Sequence, residues 1–101
     1  MKFIILTGRL TADPELRTVG EHKSKIANFR LANNDSDKDH GEFFDVHCWD
    51  KLAEFAEGYL KKGSRVLIQG SFHNEQYKDS EGNNRTHFSI TATRIEFAGG
   101  H

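Results

Sequence analysis

Phe43, Asp45, His47 and Trp49 fall on alternate positions of one short segment, Glu42 to Trp49. Alternate side chains of a strand share a face, so two aromatic rings flank an acid and an imidazole, opposite the apolar stripe Phe44, Val46 and Cys48. Tyr77 takes the corresponding outward side of a later segment if the alternation from Arg65 runs on without a bulge. Flat rings on a sheet surface, interleaved with cations, suit unpaired nucleobases: stacking is worth about 1–3 kcal/mol per base, and the cations follow the phosphates. Arg9 and Arg30, on the non-core faces of their strands, and Arg17 and Arg85, in or near loops, are the candidate cations. The same rings could instead serve an oligomer contact or a second small core, and scattered strand arginines are often merely solvated. Residue type and spacing leave these readings side by side.

Other chemistries fail on spacing. Asp35-Ser-Asp-Lys-Asp39 resembles the start of a calcium loop, but His40 and Val46 stand where a glycine and an acid are required. His47 and Cys48 are adjacent in a strand and point to opposite faces, so they cannot pair as base and nucleophile. There is no phosphate-cradling glycine loop, no His pair at metal spacing and no zinc-type Cys/His pattern. No catalytic residue, metal or cofactor is expected.

Positioning these groups requires a small sheet. Lys2 to Leu10 alternates, with Ile4, Leu6 and Leu10 to one side and Phe3, Ile5, Thr7 and Arg9 to the other. Thr11 to Glu15 breaks this strand at Pro14, and a loop is expected through Gly20. Lys25 to Ala32 alternates again around Ala27, Phe29 and Leu31, and Asn33 to Gly41 reads as a long exposed loop before the strand Glu42 to Trp49. Lys51 to Lys62 then shifts to helical spacing through Leu52, Phe55, Ala56, Tyr59 and Leu60, with Asp50 as the expected N-cap and Gly63 as the expected left-handed C-cap. Arg65 to His73 and Arg85 to Thr93 form the last two strands, around a turn at Asp79 to Asn83. Three strands, one helix and two strands predict an all-β fold with one helix: a five-stranded OB-fold Greek-key barrel, the helix lying between strands three and four.

The chain of 101 residues has the size of one domain, and 36% apolar residues including eight Phe can fill one core without staples. The lone Cys48 fits a reducing, cytoplasmic setting. The apolar run Phe3 to Leu6 is far short of a signal or membrane segment. A net charge of −1 does not announce a polyanion partner. The distribution is uneven, however: residues 1–30 are rich in Lys and Arg, while residues 31–60 carry their acids against Lys38 and Lys51 alone. A basic face can hide behind a near-neutral total, because local field governs anion binding.

Phe3 to Arg17, with its apolar run, Gly8-Arg-Leu10 and Asp13-Pro-Glu15, resembles the opening of the bacterial single-stranded DNA-binding protein family. Ala27 to Ala32 resembles that family's second strand, Trp49 to Glu54 and Tyr59 to Val66 its helix entry and exit, and Gln69-Gly70 with Tyr77-Lys-Asp79 and Gly82 its final hairpin. The resemblance runs over residues 2–98. It implies an OB-fold domain over residues 1–98, followed by a short disordered end at 99–101, and sequence-independent binding of single-stranded DNA in replication, recombination and repair. It further implies stacking by Phe43, Trp49 and Tyr77, and basic positions at Arg17, Arg85 and Lys51. A homotetramer, with a dimer as the fallback, would bury Phe3, Ile5 and Phe44. Two departures stand out: Asn33 to Gly41 lacks an aromatic, and Asp45 replaces a base. No acidic C-terminal tip follows Phe97, so partners recruited through such a tail are not expected. The alternative is a tailless, primosome-type interaction module with secondary affinity for DNA.

Overall fold

The computed structural model describes residues 2–33 and 42–98. Most of the loop expected over Asn33 to Gly41, including the acids from Asp35 to Asp39, and the expected disordered end at 99–101 lie outside the described residues. The elements are β1 (Phe3–Leu10), β2 (Glu15–Val19), β3 (Ser24–Asn33), β4 (Glu42–Trp49), α1 (Lys51–Tyr59), β5 (Arg65–Lys78) and β6 (Asn84–Phe97). The sheet order is β1-β5-β6-β4-β3-β2, and a further β1–β3 pairing at Arg9–Ala32 and Leu10–Leu31 closes five of the strands into a ring. β4 and β6 run parallel, and all other pairs are antiparallel. The expected barrel is therefore present, with α1 between the third and fourth strands of the ring. No helix among the described residues is long and apolar enough to cross a membrane.

β2 is the strand that periodicity does not reveal. It occupies most of the stretch expected as a loop and pairs with β3 from Glu15–Asn28 to Val19–Ser24. Pro14 sits just before it and so costs the ladder no donor, and as an edge strand β2 needs no apolar alternation to hold its place.

The core follows the predicted stripes: Ala27, Phe29 and Leu31 of β3, Val46 and Cys48 of β4, Val66 and Ile68 of β5, and Ile90 and Ala92 of β6. Burial pushes the Cys48 thiol up to about 11, which makes it an inert packing group. Ala53, Ala56 and Leu60 bring the helix onto this core. Phe44 departs from its expected interface role. It is 8% exposed and packs against Phe72 and Phe88, with ring centroids 6.3 and 6.1 Å away. The place where the hairpin leaves the barrel is thus filled from within the chain. Phe3 and Ile5 remain more than half exposed, as their parity predicts.

Both ends of α1 differ from expectation. Asp50 makes no side-chain cap: its φ is 52°, its N–H donates to the Lys25 carbonyl, and its own carbonyl accepts from Glu54 N–H. The helix stops at Tyr59 rather than Lys62, because the next donors are claimed elsewhere. Lys61 N–H donates to Ser64 Oγ at 3.0 Å, and Lys62 N–H donates to Asp13 Oδ1 at 2.8 Å. Asp13 thus ties the β1–β2 connection to the helix exit.

At Gly70 the backbones of β5 and β6 come together where the register slips between Gln69–Arg94 and Gly70–Ala92, leaving Thr93 as an extra residue. A Cβ at Gly70 would lie 2.1 Å from the Thr91 carbonyl oxygen. Gly70→Ala is expected to cost about 3 kcal/mol, the upper end for overpacking, whereas Gly58→Ala, in open space on the helix, should gain about 0.5–1 kcal/mol. Urea melts of the two variants check this contrast, and equal midpoints would remove the steric account.

Candidate nucleic-acid interface

Directly opposed residues of neighbouring strands share a face, so the register defines the outer surface row by row. Arg17, Ile26 and Trp49 make one row across β2, β3 and β4, and Glu15, Asn28 and His47 make the next. Arg30 and Asp45 follow, with Ser89 and His73 continuing their row across β6 and β5, and Ala32 lies opposite Phe43. On the hairpin, His87 faces Glu75 and Arg85 faces Tyr77.

The three sequence-predicted rings all point outward: Phe43 is 56%, Trp49 44% and Tyr77 52% exposed. Phe43 and Tyr77, distant in sequence, line one recess of about 90 Å³ with Arg30, Asp45 and His87. Trp49 stands at the other end of β4, six positions or roughly 20 Å away at strand rise. It lies directly opposite Ile26, an outward residue that is nonetheless buried. Between these ends lies a larger recess of about 360 Å³, lined by Asp13, Glu15, Asn28, Arg30, Asp45 and His47. A third, beside it, is lined by Glu15, Leu16, Arg17 and Asn28. Glu15, Asn28, Arg30 and Asp45 are shared between neighbouring recesses, so the recesses form one continuous groove.

The predicted cations separate. Arg30 Nε donates to Asp45 Oδ1 at 3.2 Å. The exposed half of such a pair is worth at most about 1 kcal/mol, so an incoming phosphate can compete for the guanidinium. Arg17 is exposed, lines the groove and makes no ion pair among the described residues. Arg85 Nε donates to Asp79 Oδ2 at 3.0 Å, where hydrogen bonds from Arg85 and from the backbone of Asn83 and Glu81 hold the Asp79 carboxyl below its ordinary value. Arg85 therefore also braces the hairpin turn. Arg9 donates to the Gly63 carbonyl at 3.2 Å and lines none of the three recesses, and Lys51 is exposed at the first position of α1.

The polar centre of the groove is a unit that residue spacing does not announce. Asp45 Oδ2 accepts from His87 Nε2 at 2.5 Å while Oδ1 accepts from Arg30. Burial favours the neutral Asp45 carboxyl, but the hydrogen bonds from His87 and Arg30, backed by their charges, overcome it and hold its pKa below the usual value. His47 Nδ1 bonds the amide oxygen of Asn28. Its pKa lies below that of an ordinary imidazole, first because it is partly buried; Asp45 opposes this, while His87, Arg17 and His73 reinforce it. Parity could have found Asn28 and His87, since they alternate with Arg30 and Arg85. Their convergence on Asp45 and His47 needed the β3–β4 and β4–β6 pairings.

The model of the Single-strand binding protein family matches residues 1–98. The chain belongs to that family. It is 39% identical over 99 residues to the single-stranded DNA-binding protein of Wolinella succinogenes, covering 92% of this chain and 61% of the relative. It is 33% identical over 104 residues to the single-stranded DNA-binding protein of Neisseria meningitidis, covering 96% of this chain and 59% of the relative. Single-stranded DNA-binding protein 2 of Chlorobaculum tepidum is 33% identical over 101 residues, covering 93% of this chain and 68% of the relative. The chain thus spans about three fifths of the length of the first two. The family match includes β2 and the hairpin, the two parts of the groove least marked by apolar periodicity.

Proposed function

We propose that the groove binds single-stranded DNA without regard to sequence and shields it during replication, recombination and repair, acting as a binding protein rather than an enzyme. Bases stack on Phe43, Tyr77 and Trp49. Phosphates follow Arg17 and Arg30, with Lys51 and Arg85 at the margins and Arg9 the least suited of the five. The observation that carries this reading is the meeting of Phe43 and Tyr77 in one recess beside Arg30. Rings from separate strands, held apart from the core and next to a displaceable cation, supply stacking without a base-edge code. Membership in the family supports the same ligand. Phe3 and Ile5, exposed on β1, supply the apolar surface for a second copy, in a tetramer or, failing that, a dimer.

Titration with oligo-dT tests the reading. Trp49 is the sole tryptophan, and its emission should be quenched as a base stacks on it. Raising salt should weaken binding with a log–log slope of roughly −3 to −4, for about four to six phosphates at −0.7 each. Duplex DNA should compete poorly, since paired bases cannot splay onto separated rings. Equal affinity for duplex, or a slope near zero, would overturn the proposal.

A further inference from the structure

Three imidazoles on the groove's face take no part in the stacking and cation set above: His47 and His87 line its recesses, and His73 lies beside them in the Arg30–Asp45–Ser89 row. His47 on β4, His73 on β5 and His87 on β6 come from separate strands to the face that carries the stacking rings. The charged groups facing them are Glu15 and Arg17 from β2, Arg30 from β3, Asp45 from β4, Glu75 from β5 and Arg85 from β6, with Asp13 from the β1–β2 connection. Arg85 is held by Asp79, and Asp13 Oδ1 already accepts from Lys62 N–H. With the imidazoles neutral, Arg17 and Arg30 face the four carboxylates of Asp13, Glu15, Asp45 and Glu75. That balance suits a polyanion poorly. Protonating the three rings reverses it.

We propose that His47, His73 and His87 are phosphate-binding groups of this groove in their imidazolium form, so that a single strand binds with uptake of protons. The inference rests on the groove being the single-strand site. Its physical basis is reciprocal: a phosphate beside an imidazole favours the charged ring, and the charged ring must then favour the phosphate by the same factor. His87 is the best placed. Its Nε2 holds Asp45 Oδ2, and Nδ1 makes no hydrogen bond among the described residues, so one added proton turns the neutral Arg30–Asp45–His87 set into a cation with a donor to offer. Among the described residues His73 Nε2 hydrogen-bonds only the Thr91 hydroxyl, at 3.3 Å. His47 lines the larger recess, where partial burial lowers its pKa and an arriving anion would raise it.

The experiment is fluorescence anisotropy with a labelled oligo-dT, whose thymines do not titrate across the range, from about pH 8 to about pH 5.5. Affinity should rise by about tenfold, the ceiling for one imidazole gaining one unit of pKa on binding. Calorimetry in two buffers of different ionisation heat should show net proton uptake. The triple variant His47→Gln, His73→Gln, His87→Gln should lose both the acid gain and the uptake. Should it fail to fold, His73→Gln and His87→Gln, at exposed positions, should each remove part of them. Wild-type binding that stays flat with pH overturns this inference alone, as does an acid gain that survives in the variants. Absence of oligo-dT binding at every pH overturns the proposed function and the inference together.

Discussion

Replacing Phe43, Trp49 and Tyr77 together by alanine should abolish measurable oligo-dT binding while leaving a folded barrel. Each ring lost removes about 1–3 kcal/mol of stacking, so three remove about 3–9 kcal/mol, enough to carry a micromolar complex beyond detection. Folding should survive, because none of the three rings belongs to the core cluster. The single variants divide the effect informatively. Phe43 and Tyr77 share a recess, so their losses should be less than additive if one base lies between them; Trp49 is remote and its loss should add independently. Trp49→Phe is the cleaner change at that end, since it keeps a ring opposite the buried Ile26. Anisotropy on the single, paired and triple variants, with circular dichroism as the check on folding, measures all of this. Triple-variant affinity within about threefold of the wild type would move base binding off this face altogether, because 1 kcal/mol is already a factor of about five.

Phe44→Ala should cost about 3–5 kcal/mol of stability, the range for a buried phenylalanine cut back to alanine. Phe44, Phe72 and Phe88 form one ring cluster, with Phe72 and Phe88 stacked at 5.7 Å. Removing Phe44 leaves the other two without the partner they share, at the root of the long hairpin that carries Tyr77, His73 and His87. Stability and strand binding should therefore fall together. In a domain of this size the loss amounts to a large part of the total, so partial unfolding near 37 °C is expected. Denaturant melts read the stability, and light scattering reads the assembly. A variant that changes only its assembly, with its unfolding midpoint intact, would return Phe44 to the interface role that the family resemblance implied.

Much of the site could be read before the fold was known, because a strand's period of two is geometric. Phe44, Val46 and Cys48 had to leave Phe43, Asp45, His47 and Trp49 on the other face, and the structure keeps that division. Tyr77 was reachable by the same rule only because the slip at Gln69–Gly70 adds its extra residue to β6 and not to β5. On β6 the same slip shifts the parity, so that Ile95 turns inward where simple alternation from Ala92 would turn it out. The return strand accordingly continues to Phe97 rather than ending at Thr93.

By itself the sequence determined the strand faces, the single helix, the barrel order and the outward placing of the three aromatic rings. Each of these depends on neighbours a few positions apart, where backbone geometry dictates direction. The tertiary structure alone decided which outward groups meet. It brought Phe43 to Tyr77, set Asp45 between Arg30 and His87, gathered Phe72 and Phe88 around Phe44, engaged Arg85 with Asp79 and ended the helix at Asp13 and Ser64. All but the Arg85–Asp79 pair and the local Ser64 cap join distant segments through strand pairing and chain crossing. Such contacts have no period to announce them, because what fixes them is closure of the ring around one shared core.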